Sequence, residues 1–346
     1  MTKRNSITVR EKKIGGGNPV IIQSMCNSRT EDVSATLLQI QALEQAGCEV
    51  VRLAIPNMEA AAAFGKIRQQ TDIPLVADIH FDYKLAIAAA EQGADKIRIN
   101  PGNIGDMDKV RQVVEICRKK NLPIRIGVNG GSLEREVLAK YGHSPQAMVE
   151  SAMGHIRLLN HFDFDDICLS VKSSSVPDTV AAYRLLHAQT KYPLHLGVTE
   201  AGTYEMGTIK SAIGIGALLL DGIGDTIRVS LTDDPVREIG VAKGILQSLG
   251  LRRFSPEMIS CPTCGRMEID LISLSREVEQ RLKEVKRDLT VAVMGCAVNG
   301  PGEAAQADYG IAGGRGEGLL FAKGKILRKV SAEQLVDALM AEIERE

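Results

Sequence analysis

From residue 19 onward, the chain alternates between short apolar runs and longer segments whose apolar positions recur at helical spacing. Short apolar runs bounded by turn residues are typical of strands that are buried on both faces. They predict eight strands, at residues 19–25, 49–55, 74–80, 96–100, 123–129, 166–172, 193–199 and 226–231. The longer segments predict helices at residues 33–46, 58–70, 83–92, 107–119, 145–160, 177–190 and 235–249.

Eight alternating β and α units over about 250 residues predict an α/β fold of the (β/α)8, TIM-type barrel class. A doubly wound open sheet is the alternative, but it seldom needs eight regular strands. It would also want a glycine-rich turn after its first strand, whereas Gly15-Gly16-Gly17 precedes the first predicted strand. We therefore expect residues 1–254 to form the barrel.

A second, smaller domain is predicted at residues 255–346, because the composition shifts near residues 251–257. Its pattern predicts an amphipathic helix at 271–285, an apolar strand at 289–294, a hairpin around 313–318 and a closing helix at 332–343. This is a small α+β module of fewer than a hundred residues, so a bound metal would add to its stability.

Composition excludes several classes of function. The net charge is −1 with no basic block, and the chain has no tryptophan, so nucleic-acid binding has no electrostatic or stacking support. No long uncharged apolar run predicts a membrane span, and residues 1–13 lack the apolar core of a signal peptide. Seven cysteines, four of them scattered, indicate reduced thiols in the cytoplasm.

The other three cysteines, Cys261, Cys264 and Cys296, are the only ones beyond residue 200, and no histidine follows His195. A closed structural zinc site needs four cysteine or histidine ligands, so a fourth ligand is missing. Three thiolates and a replaceable oxygen ligand suit a catalytic iron–sulfur cluster, which we favour over a structural metal. A disulfide with a spare thiol is less compatible with a reducing compartment.

Polar residues recur toward the carboxyl ends of the predicted strands, where a barrel has its active-site mouth. Five cations there face few carboxylates, chiefly Asp78 and Glu200, and uncompensated buried charge is costly. These cations therefore predict an anionic ligand with more than one phosphate, unless each arginine pairs with a loop carboxylate. The residues in question are Arg52, Asp78, His80, Arg98, Asn100, Arg125, Asn129, Ser170, Lys172, His195, Thr199, Arg228 and Ser230.

The predicted eighth helix, residues 235–249, returns the chain to the face of the barrel opposite the mouth. A cysteine domain that starts there cannot easily reach the site of its own barrel. It could cap the mouth of a second copy, so we expect a head-to-tail homodimer with two shared sites.

Six motifs, spread over nearly the whole chain, give a specific resemblance. They are VADIHF at 76–81, RINPGN at 98–103, RIGVN at 125–129, GVTEAG at 197–202, CPTC at 261–264 and NGPGE at 299–303. With these motifs the chain resembles the 4-hydroxy-3-methylbut-2-en-1-yl diphosphate synthase family of the methylerythritol phosphate route to isoprenoids, in its shorter bacterial form. The resemblance implies reductive ring opening of 2-C-methyl-D-erythritol 2,4-cyclodiphosphate to (E)-4-hydroxy-3-methylbut-2-enyl diphosphate.

The resemblance also implies roles for individual residues. A 4Fe–4S cluster would be held by Cys261, Cys264, Cys296 and Glu303, and electrons would come singly from flavodoxin or ferredoxin. Glu200 would act as the general acid, and Asp78 and His80 would orient or relay. The substrate would bind Arg52, Arg98, Asn100, Arg125, Asn129, Lys172, His195, Arg228 and Ser230.

Two other classes remain as alternatives. One is a non-redox barrel transferase for phosphorylated ligands, similar to a pterin synthase, with a structural zinc module. The other is a carrier or scaffold whose cluster only passes electrons or senses redox state. Iron, sulfide and zinc analysis distinguishes them, because only a 4Fe–4S protein holds about four iron and four sulfide ions per chain.

Overall fold

A computed structural model of the chain describes residues 4–296 and 304–345. The chain forms two compact units, Met1–Arg252 and Arg253–Glu346. Each unit is described by itself.

The first unit is a closed barrel of eight parallel strands, as the sequence predicts. The strands of this unit are β1 (Ser6–Val9), β2 (Lys12–Gly15), β3 (Ile21–Met25), β4 (Val50–Ala54), β5 (Leu75–Asp78), β6 (Lys96–Ile99), β7 (Ile124–Asn129), β8 (Ile167–Lys172), β9 (His195–Leu196) and β10 (Thr226–Ile227). All eight predicted strands are confirmed, with shorter ends. The sheet order is β8-β7-β6-β5-β4-β3-β10-β9, and a parallel bridge between Leu169 of β8 and Leu194, just before β9, closes it.

Helices cover the outside of the barrel, and the seven predicted ones are confirmed to within two residues at each end. Gly47 ends the first of them with φ of 98°, the left-handed conformation that glycine adopts without a steric penalty. Three helices were not predicted: α4, α6 and α9. The helices are α1 (Val33–Ala46), α2 (Met58–Arg68), α3 (Tyr83–Glu91), α4 (Pro101–Ile104), α5 (Met107–Lys120), α6 (Arg135–Tyr141), α7 (Pro145–Asn160), α8 (Val176–Gln189), α9 (Tyr204–Leu220) and α10 (Pro235–Ser248).

An antiparallel hairpin, β1–β2, covers the amino-terminal end of the barrel. The alternation Ser6-Ile7-Thr8-Val9 turns Ile7 and Val9 inward, where they are 2% and 0% exposed. These two strands were not predicted, because the alternation is only four residues long. The hairpin packs on first-layer barrel residues in one cluster: Ile7, Val9, Ile14, Ile21, Val50, Val76 and Cys168.

The second unit is an α+β module, as predicted. Its five strands are in the order β11-β12-β13-β14-β15, with β11, β12 and β13 parallel. The apolar faces of two helices, including Val278 and Leu339, pack on Val291 and Ile311 of the sheet. The elements are β11 (Glu257–Ser260), α11 (Leu271–Leu282), β12 (Thr290–Met294), β13 (Tyr309–Gly313), β14 (Glu317–Ala322), β15 (Lys325–Ser331) and α12 (Leu335–Glu344).

Among the helices in the described ranges, none has both the length and the apolar character that crossing a bilayer requires.

Candidate functional site

The predicted cations lie on the inner face of the barrel near its mouth. The registers place Asp78 of β5 beside Arg98 of β6, and Arg98 beside Arg125 of β7. Arg98 is 6% exposed and Arg125 is 1% exposed, so both guanidinium groups lie inside the barrel and not on its rim. Because successive strand residues alternate faces, the inward polar positions stack into layers along the barrel axis.

Asp78 is the anchor of the first group of cations. Its carboxylate accepts a hydrogen bond from Nη1 of Arg98 at 3.1 Å, lies 3.8 Å from Nε of Arg52 and 3.3 Å from Nε2 of His80. Burial by itself would raise the pKa of Asp78, but Arg52, His80 and Arg98 together hold it well below its usual range. Asp78 is therefore ionised at neutral pH and fixes two arginines.

Arg125 is the least compensated arginine of the group. Its Nη1 donates to the hydroxyl of Ser170 at 2.8 Å, while its Nε and Nη2 have no hydrogen-bond partner in the described part of the chain. Burial lowers the pKa of Arg125 to about 9, with further lowering from Arg52 and Arg98, so it stays charged at pH 7. Such orphaned donors are what a phosphate-binding site presents before its ligand arrives.

Two glycines on the barrel strands make room for cations. A Cβ at Gly127 would lie 2.5 Å from Nε of Arg98, and a Cβ at Gly197 would lie 2.7 Å from Nζ of Lys172. Any side chain at either position would displace the charged group. The absence of a side chain at Gly127 and Gly197 is thus part of the site.

Arg228 is held by a carboxylate that the sequence analysis did not identify. Its Nη2 donates to Oε1 of Glu238 at 3.0 Å, and its Nη1 donates to the hydroxyl of Ser230. Glu238 is 2% exposed and also accepts from the Ser24 hydroxyl at 2.9 Å. The available signal was a lone carboxylate on the apolar face of α10, next to Ile239. The expectation that Asp78 and Glu200 are the chief carboxylates was therefore incomplete.

Lys172 and His195 complete the interior of the mouth. Lys172 is 6% exposed, and its ammonium group makes no hydrogen bond or ion pair with any residue of the described ranges. Burial, with the charges of Arg125 and Arg52, lowers the pKa of Lys172 well below its ordinary value. Burial and nearby cations likewise lower the pKa of His195, which is fully buried with Nδ1 3.4 Å from the Thr226 hydroxyl. His195 is therefore a neutral hydrogen-bonding group.

Glu200 follows β9 in a strained conformation. Its φ is 52°, the left-handed region, which costs a residue with a side chain about 1 kcal/mol or more. The side chain is exposed and forms no ion pair with a cation of the described ranges, so it is not the salt-bridge partner of a mouth arginine. With Asn129, Thr199 and Ser173, Glu200 lines a cavity of about 480 Å³ at the mouth.

The remaining predicted residues of the barrel also lie at this end. Asn129 ends β7 and lines the same cavity. Asn100 is 5% exposed, and its side-chain oxygen accepts from the backbone N–H of Gly102. This oxygen caps α4, and the side-chain NH₂ group remains to bind a ligand. His80 is half-exposed beside Asp78, with its ring 6.0 Å from that of Phe81.

The cysteines of the second unit follow two neighbouring parallel strands. Cys261 comes directly after β11 and Cys296 closely after β12, so both lie at the same edge of the sheet. The backbone N–H of Gly295 donates to the sulfur of Cys261 at 3.1 Å, and Cys264 is exposed. Within residues 4–296 and 304–345, no three ligand groups are gathered closely enough to hold a metal ion. Glu303 lies outside the described residues.

Among the described residues, the inner face of the barrel near its mouth carries the ammonium group of Lys172 and four guanidinium groups, against two contacting carboxylates, Asp78 and Glu238. The guanidinium groups are those of Arg52, Arg98, Arg125 and Arg228. A barrel with more cations than carboxylates at this end is that of a TIM-barrel protein acting on an anionic, phosphorylated ligand. The cysteine-bearing α+β module accompanies it in the same chain.

The chain belongs to the GcpE family: the family's TIM-barrel domain matches residues 4–243 and its C-terminal domain matches residues 257–345. A relative from Geobacter sulfurreducens, named 4-hydroxy-3-methylbut-2-en-1-yl diphosphate synthase (flavodoxin), is 58% identical over 344 residues, which is 99% of this chain and 98% of the relative. One of the same name from Fusobacterium nucleatum is 59% identical over 334 residues, 96% of this chain and 94% of the relative.

Some solved structures share the fold over about 70% of the chain. A dihydropteroate synthase from Stenotrophomonas maltophilia matches with a TM-score of 0.51 at 10% identity, over 72% of this chain and 99% of its own. That of Yersinia pestis matches with a TM-score of 0.50 at 13% identity, over 71% and 98%. At this identity the likeness concerns the fold alone.

Proposed function

We propose that the chain is an oxidoreductase that uses two electrons and two protons to open the ring of 2-C-methyl-D-erythritol 2,4-cyclodiphosphate and remove one of its two hydroxyls as water, giving (E)-4-hydroxy-3-methylbut-2-enyl diphosphate. The observation that carries this proposal is the identity of 58% along nearly the whole length of a synthase of that product. The donor-rich interior of the barrel supports it, because a cyclic diphosphate brings two negative charges and no hydrogen-bond donors on its phosphates.

The proposed substrate-binding residues are those that the barrel interior leaves with unused donors. The phosphates bind Arg98, Arg125 and Arg228, each of which has an orphaned Nε, with Arg52 and Lys172 beside them. Asn100, Asn129, His195 and Ser230 supply neutral hydrogen bonds. Asp78 and His80 act by holding Arg98 and Arg52 in position, since their contacts are with those guanidinium groups.

Glu200 is the proposed general acid. Glu200 lines the cavity with Asn129 and Thr199 and contacts no cation in the described ranges, so its carboxyl group is available to protonate a departing hydroxyl. The left-handed φ of 52° supports a functional reason for this residue, because a glycine would fill the position without strain.

The proposed cofactor is a 4Fe–4S cluster held by Cys261, Cys264, Cys296 and Glu303. The donor set fits: two cysteines lie at one sheet edge, and the Gly295 N–H bonded to the Cys261 sulfur is the kind of hydrogen bond that favours a thiolate. When bound, the cluster supplies the electrons of the reduction. A carboxylate as fourth ligand is exchangeable, because oxygen is a hard ligand for soft iron–sulfur centres.

Single electrons require a protein donor. The relatives' names specify flavodoxin, which we propose as the donor, with ferredoxin as the substitute of similar potential. Such carriers and the free thiols are consistent with a cytoplasmic enzyme.

Anaerobic assay tests the function directly. The protein, purified or reconstituted without oxygen, is expected to bind about four iron and four sulfide ions per chain and to convert the cyclic diphosphate with an artificial one-electron donor. Zinc without sulfide would contradict it in favour of the barrel transferase. An iron–sulfur protein that leaves the compound unchanged would favour the carrier.

We further propose that two copies assemble head to tail, each cysteine module serving the other's barrel. Two features support this. Arg252, the last residue of the first unit, donates to the carbonyl oxygen of Val20 and to Glu49, at the amino-terminal ends of β3 and β4, so the chain leaves the barrel opposite its mouth. Helix α9 also exposes apolar side chains, including Ile209 and Ile213 at 50% and 56%.

Cross-complementation tests the shared site. Cys264→Ser chains and Glu200→Gln chains, each inactive as homodimers, are expected to regain up to about a quarter of wild-type activity when mixed and exchanged. One mouth of such a heterodimer combines an intact barrel with an intact cysteine module. Heterodimers verified by two affinity tags that stay inactive would contradict sharing.

A further inference from the structure

Lys96 is a buried cation that the proposed reaction does not use. It opens β6, two residues before Arg98, and therefore points to the same inner face about 7 Å closer to the hairpin end of the barrel. Its side chain is completely buried, with 0% exposure. The one hydrogen bond it donates among the described residues goes to Oε1 of Gln23, at 3.5 Å.

The surroundings of Lys96 hold almost no acceptors. Asp78 is engaged by Arg52, Arg98 and His80, and Glu238 is engaged by Arg228 and Ser24. Below these carboxylates the unpartnered buried atoms are donors, namely Nε2 of Gln23 with Nε and Nη2 of Arg125, besides Nε2 of the neutral His195. An ammonium group in such a place is poorly stabilised until negative charge arrives from above.

Burial opposes the charged form of Lys96, and so do two neighbours. Burial lowers the pKa of Lys96 to about 8, an effect that Cys168 offsets in part and that Arg125 and Arg52 strengthen. Without a bound anion, Lys96 is therefore half-protonated near pH 8, whereas an exposed lysine is half-protonated at about pH 10.4.

We propose that Lys96 is a positioning residue of the anion site, which contacts no phosphate and takes up a proton when the doubly charged ligand occupies the mouth. The inference rests on the proposed function, since it needs an anion in the barrel. Once protonated, Lys96 places a positive charge on the hairpin side of Arg98 and Arg125. The ligand is then attracted by this deeper charge in addition to its direct contacts with the arginines.

The pH dependence follows from linkage. A bound anion raises the pKa of Lys96 above its free value, so affinity is full below about pH 8 and falls as the pH rises through that range toward the bound pKa. The ligand itself does not titrate there, because each phosphorus of a cyclic diphosphate keeps one strongly acidic oxygen. The groups that face Lys96 are Gln23 of β3, Arg52 of β4, Arg125 of β7, Cys168 of β8 and His195 of β9.

Calorimetry measures the proton directly. The cluster-loaded protein, kept anaerobic and without an electron donor, is titrated with the cyclic diphosphate in two buffers of different ionisation enthalpy. Lys96→Met is expected to take up about half a proton less than the wild type at pH 8 and the same number at pH 6.5. It should bind about 3–10-fold more weakly at pH 7, with the difference shrinking above pH 9. The matched control is Lys243→Met, a half-buried lysine of α10 away from the barrel interior, with wild-type uptake.

The outcomes separate the two proposals. If the wild type binds and Lys96→Met takes up as many protons at pH 8, the inference is wrong while the function stands, and Lys172 becomes the acceptor. If the wild type does not bind the cyclic diphosphate, both the inference about Lys96 and the proposed function are wrong. Should Lys96→Met not fold, Gln23→Leu removes the acceptor of Lys96 and is expected to move the pH of maximal uptake downward; an unmoved maximum would contradict the assignment.

Discussion

Glu200→Gln is expected to lower kcat about 10²–10⁴-fold while leaving iron content, sulfide content and affinity for the cyclic diphosphate unchanged. The substitution keeps the size of the side chain and its hydrogen-bonding capacity but removes the transferable proton. Because Glu200 contacts no described cation, its neutralisation leaves the guanidinium groups where they are. Anaerobic turnover with a one-electron donor, measured together with calorimetric affinity, distinguishes a loss of proton transfer from a loss of substrate binding.

The control for this experiment is Glu205→Gln, an exposed carboxylate in the first turn of α9, which should turn over like the wild type. A second variant, Glu200→Gly, keeps the left-handed φ without strain and should be as inactive as the glutamine variant with no loss of thermal stability. Wild-type kcat in Glu200→Gln would remove this residue from the chemistry.

Asp78→Asn is expected to lower the free energy of unfolding by about 3–5 kcal/mol, because it leaves Arg52 and Arg98 buried without their shared counter-charge. Denaturant unfolding of the barrel at pH 7 measures this directly. The pKa of Asp78 is depressed in the fold, so its stabilisation is complete above its ordinary value of 3.8 and is lost as the pH falls below it. The difference between variant and wild type should shrink accordingly in acid.

Asp72→Asn serves as the matched surface control. Asp72 pairs with Arg10 at 2.9 Å, but its side chain is 99% exposed, and exposed ion pairs contribute little. The two variants remove the same charge, one from a buried carboxylate with three partners and one from an exposed carboxylate paired with Arg10. Equal losses of stability would show that the interior of the mouth is as well solvated as the surface.

The sequence predicted the eight strands well, because both faces of a barrel strand are buried and the apolar runs are continuous. Arg98 and Lys172 lie near the carboxyl ends of their strands, as the sequence predicts, whereas Arg125 is the second residue of β7 and lies nearer its amino end. Helix α9 escaped prediction for a physical reason: with apolar residues exposed and buried alike, it has no polar face to set a helical period.

Other features depend on packing that no local pattern records. Glu238 looks like an ordinary helix residue until α10 docks against Ser24 and Arg228. Lys96 begins an apolar strand and was interpreted only as part of it. The hairpin of Ser6–Val9 and Lys12–Gly15 is too short for its alternation to stand out. In each case the information lies in a contact between residues distant in sequence.

That hairpin closes the end of the barrel opposite the mouth. With Ile7, Val9 and Ile14 sealing one end, every molecule that visits the interior has to come and go through the same opening. A bound ring compound would therefore cover this opening, and buried groups beneath it such as Lys96 would be further separated from solvent. An inhibitor could therefore extend from a phosphate mimic at the mouth toward the closed end of the barrel. A hydrogen-bond acceptor at its tip would be aimed at the unpartnered Nε2 of Gln23.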